Sequence, residues 1–439
     1  MPVQSYLKGT TAVKIAASAE SAAAGGKIAG GERLPPVRAL AQQLGVSPAT
    51  VAAAYRILQE RGIAFADGRR GTIVRHASPA APPAPALLPP HVRDLATGNP
   101  AQDMLPDLAP FLRKLDGSPR LYRDDLSDPD LVAMARAQFA GDGVPADSIA
   151  VVSGALDGIE RVLREQLRPG DRVLVEDPCF TGVVDLLHAL SLVPVPVAVD
   201  NEGLLPAAVQ RAGAAEAIIV TPRAQNPTGA ALTEKRGRQL RALLRQRPEL
   251  LVIEDDHAGP VAGTPYVTLV EPNRERWAVV RSVSKSLGPD LRLALLAGDA
   301  RTIARVEGRQ TLGIRWVSHI LQKLVVALWR DRSVQKLLAR AERTYARRRD
   351  ALVDALHVRG IESHGTSGLN VWIPLAEESS VVQALFQRGW AVAAGERYRI
   401  RTPPAIRVTI ASLDVNDAAS FANDLSEALR PAKRRAAGA

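Results

Sequence analysis

Lys285 sits in RSVSKSLGPDLRL, Arg281–Leu293, with Ser282 and Ser284 before it and Arg292 seven residues after it. A lysine amine can condense with an aldehyde, while a serine hydroxyl and the planar fork of an arginine can hold a phosphate. Taken alone, a lysine in a serine-rich loop reads as a surface residue. Three further segments change that balance. AQNPTGA, Ala224–Ala230, and VIEDDH, Val252–His257, lie upstream, the second at the end of a strand-like run. SGALDGIE, Ser153–Glu160, follows a strand and opens a helix, so the amides of Gly154 and Ala155 would face an anion along the favourable helix dipole.

The elements that must position these residues alternate. Short β-branched runs at Ala150–Ser153, Arg172–Glu176, Ala217–Thr221, Leu251–Glu254 and Trp277–Val280 are separated by helical stretches, which predicts βα units on a mostly parallel sheet. After about Arg330 the pattern becomes a long charged helix, Ser333–Leu356, followed by strands near Gly368–Ile373 and Ala405–Ile410 around another helix, a smaller α/β subdomain. Residues 79–90, PAAPPAPALLPP, lack the amide donors and the φ/ψ freedom of a core element and read as a semi-extended linker.

Ahead of that linker, LPPVRALAQQLGVSPATVAAAYRILQER, Leu34–Arg61, breaks into two helices. The first runs from Val37 to Leu44 and ends at Gly45, which supplies a left-handed cap. Ser47 caps the second, with Pro48 at its first position and Val51, Ala54, Tyr55 and Leu58 at helical spacing. A β-hairpin wing follows: Gly62–Phe65, a turn carrying Asp67–Gly71, and Thr72–Arg75. The segment Thr11–Arg75 resembles the GntR-type winged-helix regulators, with Val37 standing where a polar residue is commoner. The resemblance implies that Arg38 grips phosphate, that Ser47 and Thr50 face the major groove, and that Arg69 and Arg70 sit on the wing tip.

Beyond the linker, the motifs around Lys285, Asn226 and Asp255 resemble fold-type-I pyridoxal-phosphate aminotransferases from about Leu95 to Leu429. The junction of such a domain to a GntR-type head resembles the MocR subgroup of regulators. The resemblance implies a cofactor, pyridoxal 5'-phosphate, with Lys285 as its Schiff-base lysine and Asp255 as the carboxylate on its ring nitrogen. Asn226 would donate to the phenolic oxygen, and Ser153, Gly154, Ala155, Ser282, Ser284 and Arg292 would surround the phosphate. Phe180 in EDPCF would stack on the ring, Arg407 in AIRVTIA would take an amino-acid carboxylate, and Tyr122 in RLYRDD would reach a phosphate in the other subunit. Competing readings are a strand-end cap for Asp255, turn chemistry for Asn226, core packing for Phe180 and a strand-edge salt bridge for Arg407. The Gly-rich turn expected after Tyr122 is replaced by acidic residues. His257 stands where the family has a tyrosine whose hydroxyl bonds the ring's phenolic oxygen; an imidazole could donate the same bond, but it titrates near neutrality, and a purely structural histidine fits as well.

Bulk properties bound the rest. The 439 residues carry a net charge of +10. Residues 1–80 hold ten Lys or Arg against four Asp or Glu, so +6 of that charge falls in the head, a distribution suited to a polyanion. The single cysteine, Cys179, excludes an internal disulfide, no Cys/His cluster has metal spacing, and no apolar run approaches the roughly 18 residues of a membrane span. The expected organisation is a winged helix-turn-helix domain over 1–78, a linker over 79–94, and an aminotransferase-like domain over 95–439 with a large parallel-sheet part and a small α/β part. The expected whole is a cytoplasmic homodimer that binds double-stranded operator DNA and a small-molecule effector. Either pyridoxal phosphate or an amino compound would modulate the DNA binding, with at most residual transaminase activity. The alternative is a working aminotransferase carrying a nucleic-acid-binding head.

Overall fold

The computed structural model describes residues 2–66, 71–74, 88–122 and 124–430. The wing tip with Arg69 and Arg70, and most of the Pro-rich linker, lie outside them. The chain divides into two compact units, one of residues 1–85 with 167–173 and 182–194, the other of residues 86–166, 174–181 and 195–439.

Three helices and a hairpin build the head. Helix α1 (Ala12–Ala24) starts at Thr11, whose side chain accepts from the Lys14 amide. Helix α2 (Val37–Leu44) ends at Gly45, held left-handed at φ 66°. Helix α3 (Pro48–Glu60) starts at Ser47, whose hydroxyl accepts from the Thr50 amide. Ile15 and Ala19 of α1, Leu40 of α2, and Val51, Tyr55 and Leu58 of α3 close one buried core. Each buried Leu or Ile contributes about 1.5–3 kcal/mol, which fixes the angle between α2 and α3. The Tyr55 hydroxyl, inside that core, donates to the Pro35 carbonyl at 2.7 Å and ties α3 to the turn before α2. Strands β1 (Ala64–Ala66) and β2 (Thr72–Val74) pair antiparallel as the wing.

The body opens with β3 (Arg93–Leu95), which pairs in parallel with a late strand. Arg93 and Asp94, assigned to the tether by composition, therefore belong to a sheet. An eight-stranded sheet follows, made of β4 (Ser148–Val152), β5 (Arg172–Asp177), β6 (Val193–Asp200), β7 (Gly203–Leu204), β8 (Ala217–Val220), β9 (Leu251–Asp256), β10 (Trp277–Ser282) and β11 (Ala294–Gly298). Its order is β4-β11-β10-β9-β8-β5-β6-β7. Pairing is parallel for β8–β9 and β9–β10, whereas β11 runs antiparallel to both β10 and β4. Strand β11, ALLAG, has no polar residue because both its faces are buried, so alternation could not reveal it.

The helix Arg332–His357 leads to the smaller sheet of β12 (Asn370–Pro374), β13 (Trp390–Ala394) and β14 (Ala405–Thr409), ordered β12-β14-β13-β3. A separate core containing Tyr345, Leu352, Val371, Ile406 and Phe421 supports it.

Candidate cofactor site and DNA-reading face

Strand register brings the sequence motifs together. Asp255 of β9 lies opposite Val280 of β10, and Ser282, at the end of β10, lies opposite Ala294, which in turn lies opposite Val152. Ser153, Asp255 and Ser282 thus lie together near the carboxyl ends of β4, β9 and β10. Arg292 reaches the same edge just before β11, in the left-handed region at φ 43°, and donates to the Ser153 carbonyl at 3.3 Å. Gly154 has φ 107°, and a Cβ there would stand 2.9 Å from Arg292 Nη2, so the turn is open only because residue 154 is glycine. Ser282 Oγ accepts from the Ser284 amide at 3.1 Å and lies 3.1 Å from its hydroxyl. The helix Ala155–Gln166 begins here, so its first amides, the serine hydroxyls and the Arg292 guanidinium lie near one another, the donor set an anion would need.

Consecutive carboxylates on β9 point to opposite faces and meet opposite conditions. Asp256 is fully buried between Arg223, which donates through Nε and Nη2 at 2.9 Å each, and Arg281, which donates through Nε at 2.6 Å. Burial would raise its pKa, but the two guanidinium groups hold it down to about 2. Asp255, 5% exposed, has an Oδ1 with no partner among the described residues. Burial, reinforced by the Asp256 charge, pushes its carboxyl up to about 7. A cationic ring nitrogen would restore what this carboxylate lacks.

Lys285 Nζ donates to the Gly98 carbonyl at 2.7 Å. Burial, and then the nearby Arg407 charge, lower the amine from its usual 10.5 to about 8. Arg407 is buried; it donates to Asn226 Oδ1 at 3.1 Å and to the Ala96 carbonyl, stacks 4.8 Å over the Tyr398 ring, and leaves Nε unpartnered. Its partners are neutral oxygens, so the strand-edge salt bridge is not what forms. Asn226 turns its oxygen toward Arg407, which leaves its amide hydrogens to donate elsewhere. His257 corrects one expectation: burial, then the charges of Lys285 and Arg223 against that of Asp256, depress it to about 4, so it is neutral near pH 7 rather than titrating there. Phe180 is half-buried one residue after Cys179, whose amide donates to the Tyr398 carbonyl at 2.8 Å. Tyr122 stands apart: it is 76% exposed and packs against Arg315 and Trp316, with no described contact to the cluster around Lys285.

In the head, Arg38 is exposed on α2, Ser47 is exposed at the start of α3, and Thr50 is half-buried one turn in, its hydroxyl 2.9 Å from that of Ser47.

Two family patterns cover the chain: bacterial regulatory proteins of the gntR family match residues 12–74, and aminotransferases of class I and II match residues 90–425. The vitamin B6 salvage pathway transcriptional repressor PtsJ of Salmonella typhimurium is 39% identical over 433 residues, covering 96% of this chain and 99% of that protein. The chain is a MocR-type GntR regulator. In such regulators a GntR DNA-binding domain is fused to an aminotransferase-like domain, and the aminotransferase class itself depends on pyridoxal phosphate. The regulator TauR of Rhodobacter capsulatus is 26% identical over 391 residues, covering 78% of this chain and 79% of that one. Among solved structures, the kynurenine aminotransferase of Pyrococcus horikoshii shares the fold, with a TM-score of 0.70 at 20% identity, over 77% of this chain and 91% of that one. No described helix of this MocR-type chain is long and apolar enough to cross a membrane.

Several residues that shape the MocR-type site have no counterpart among the sequence expectations. Gln225, fully buried, donates to Glu176 at 3.1 Å and to the Pro178 carbonyl at 2.7 Å, and accepts from Thr228, so it joins the loop bearing Phe180 to the loop bearing Asn226. Its place beside Asn226 is the one signal the sequence carries for it. The Gly98 and Ala96 carbonyls that receive Lys285 and Arg407 carry no residue type and leave no signal at all.

Proposed function

We propose that this regulator binds pyridoxal 5'-phosphate through Lys285 and that occupancy of the site sets its affinity for operator DNA. The observation that carries the reading is the buried Asp255 Oδ1, without a partner among the described residues, near the same strand ends as a turn that only Gly154 keeps open. When bound, the cofactor supplies an electron-withdrawing ring and an aldehyde that an amine can capture. A lysine held near 8 reaches its reactive free-base form at lower pH than an ordinary one.

The chain's own groups divide the work. Ser153, Gly154, Ala155, Ser282, Ser284 and Arg292 hold the phosphate; Asp255 holds the ring nitrogen in its protonated form; Asn226 and neutral His257 donate to the phenolic oxygen; Phe180 packs on the ring. Arg407, whose charge meets only neutral oxygens, takes the carboxylate of an amino-compound effector. In a homodimer, Tyr122 of the partner subunit completes the phosphate site, and its exposure here is consistent with reaching outward. The head reads duplex operator in the cytoplasm through Arg38, Ser47, Thr50, Arg69 and Arg70. The boundaries 1–78, 79–94 and 95–439 serve as its working domains, with the tether shortened by the β3 residues.

PtsJ is named for repression of vitamin B6 salvage, and we assign the same class of target to this chain. Abundant cofactor makes salvage unnecessary, so the cofactor strengthens operator binding. A tenfold gain requires about 1.4 kcal/mol of preference for the DNA-competent state. The test is full-length protein and its Lys285→Ala variant, assayed for visible cofactor absorption and for operator Kd with and without pyridoxal phosphate. Wild type should gain both the absorption and the affinity, and the variant neither. Retention of both responses in the variant overturns the reading. A second reading, transamination, draws on the pairing of Lys285 with Arg407; multiple-turnover keto-acid formation from an amino-acid panel would favour it.

A further inference from the structure

The 26-residue helix Arg332–His357 carries seven basic residues and three acidic ones, and they are not scattered. Arg332, Lys336, Arg340, Arg343 and Arg347 are all exposed. At 3.6 residues per turn these five positions fall within an arc of about 80°, and their 15-residue span covers about 22 Å. The helix's other basic side chains turn inward. Arg348 donates to the Ala411 carbonyl, and Arg349, 5% exposed, donates to Asp350. The five outward cations have no ion pair or hydrogen-bonded side-chain partner among the described residues. Some other surface arginines of the body are paired with carboxylates, as in Arg164–Glu160, Arg245–Glu271 and Arg330–Asp130, and single exposed ones such as Arg238 and Arg301 stand apart; what marks this helix is five cations on one face. Asp350 and Asp354 bring negative charge to the same arc beyond Arg347 and end the stripe, so its length is set by the sequence.

Five like charges at i, i+3 and i+4 spacing on one helix face repel one another, and no ion pair among the described residues offsets that repulsion. We propose that this face is a second DNA contact surface, binding the phosphate backbone of duplex DNA independently of sequence, alongside the base-reading head. Charge complementarity commits it to that occupant: an unpaired row of cations, four of them guanidinium groups, matches a regular line of phosphates, and the stripe offers no aromatic group for base stacking. The inference rests on the head's role only in that one DNA molecule serves both.

The test uses the full chain in four forms: wild type, the stripe variant Arg332→Gln/Lys336→Gln/Arg340→Gln/Arg343→Gln/Arg347→Gln, a head variant Arg38→Ala/Thr50→Ala, and the two combined. Binding to an operator fragment and to a random-sequence duplex of equal length is measured over a range of salt. For each phosphate that the protein no longer neutralises, the slope of log K against log salt should flatten by about 0.9, so three such phosphates give about 2.7. The stripe variant should show that flattening on both duplexes while keeping its operator preference. The head variant should lose the preference yet keep salt-sensitive binding, which the combined variant loses. Retained cofactor absorption in the stripe variant shows that the body is folded. Unchanged slopes on both duplexes overturn the proposal, whether the face serves an acidic protein or is only solvated. A head variant that keeps its operator preference counts against the head assignment and leaves the stripe result standing.

Discussion

The reading face of the head and the ligand site of the body contrast in how far each satisfies itself. At the head, the Ser47 hydroxyl caps Thr50 at 3.1 Å and Tyr55 is hydrogen-bonded inside the core, so the α2–α3 frame is complete without DNA. In the body, Asp255 Oδ1 is buried and is the carboxylate oxygen left without a partner among the described residues, and the Lys285 amine is held in the depressed range. A buried polar group left unpaired costs about 1–3 kcal/mol. The head is therefore a preorganised reader, whereas the body holds polar groups whose cost a ligand would relieve. Asp255 and Asp256 repeat the contrast within a single strand: one carboxylate waits, while its neighbour is locked by two arginines.

The largest effect that tests this contrast is at the locked carboxylate. Asp256→Ala leaves buried Arg223 without a carboxylate and Arg281 with Asp142 alone, and should cost about 3–5 kcal/mol, read by chemical denaturation of the protein without cofactor. A loss under about 1 kcal/mol would mean that the cluster is not structural. The waiting carboxylate should behave in the opposite way. Its folded pKa is raised, so the folded state binds that proton more tightly than the unfolded chain does. Stability is then lost as pH rises from the unfolded value of about 4 toward about 7 and levels off above it. Asp255→Asn removes that loss, so without cofactor the variant should be the more stable by on the order of 2–4 kcal/mol at pH 8, with the gap closing by pH 4. It should bind pyridoxal phosphate at least about tenfold more weakly, about 1.4 kcal/mol. Equal pH profiles would show that Asp255 has a partner in solution. A comparable loss of cofactor affinity, about tenfold, is expected for Gly154→Ala, because its Cβ would displace Arg292 and its φ of 107° is strained for alanine; titration of the cofactor absorption measures it.

The head was legible in the sequence almost residue by residue, because caps and turn glycines act locally: Val37–Leu44, Gly45 and Ser47 stand where their chemistry requires. Helix α1 was not separated, since AVKIAASAESAAA has a weak apolar stripe that becomes a core face only when α3 lies against it. In the body, several strands with βα alternation were readable, but β6, β7, β11 and β13 were not: β11 is an apolar run buried on both faces and has no period, β6 carries two prolines that argue against a strand, β7 is two residues long, and the WAVAA of β13 has no polar residue to mark an alternation. Lys285, Asp255, Asn226 and Arg292 were found through motif order. The adjacent Asp256 was visible beside Asp255, but what else charges these groups, namely the burial of Asp255, Arg407 beside Lys285, and Lys285 and Arg223 near His257, depends on contacts between segments far apart in the chain.

The smallest expected effect tests whether the head's self-sufficiency is distinct from its reading of DNA. Ser47 is the cap of α3 and is also exposed at that helix's start, so Ser47→Ala removes the cap and, under the proposed reading, a DNA-facing hydroxyl at once. Loss of the cap should cost the head about 1 kcal/mol. Ser47→Asp keeps an acceptor for the Thr50 amide and places negative charge at a helix N-terminus, so thermal unfolding should find it as stable as wild type. The same charge opposes DNA phosphates. If Ser47 faces DNA, operator affinity should fall further in Ser47→Asp than in Ser47→Ala, although the aspartate variant is the more stable of the two. If Ser47 only caps, affinity should follow stability, and the alanine variant should be the weaker binder. The order of the two variants in affinity, set against their order in stability, separates a frame that is finished before DNA arrives from one that DNA helps to complete.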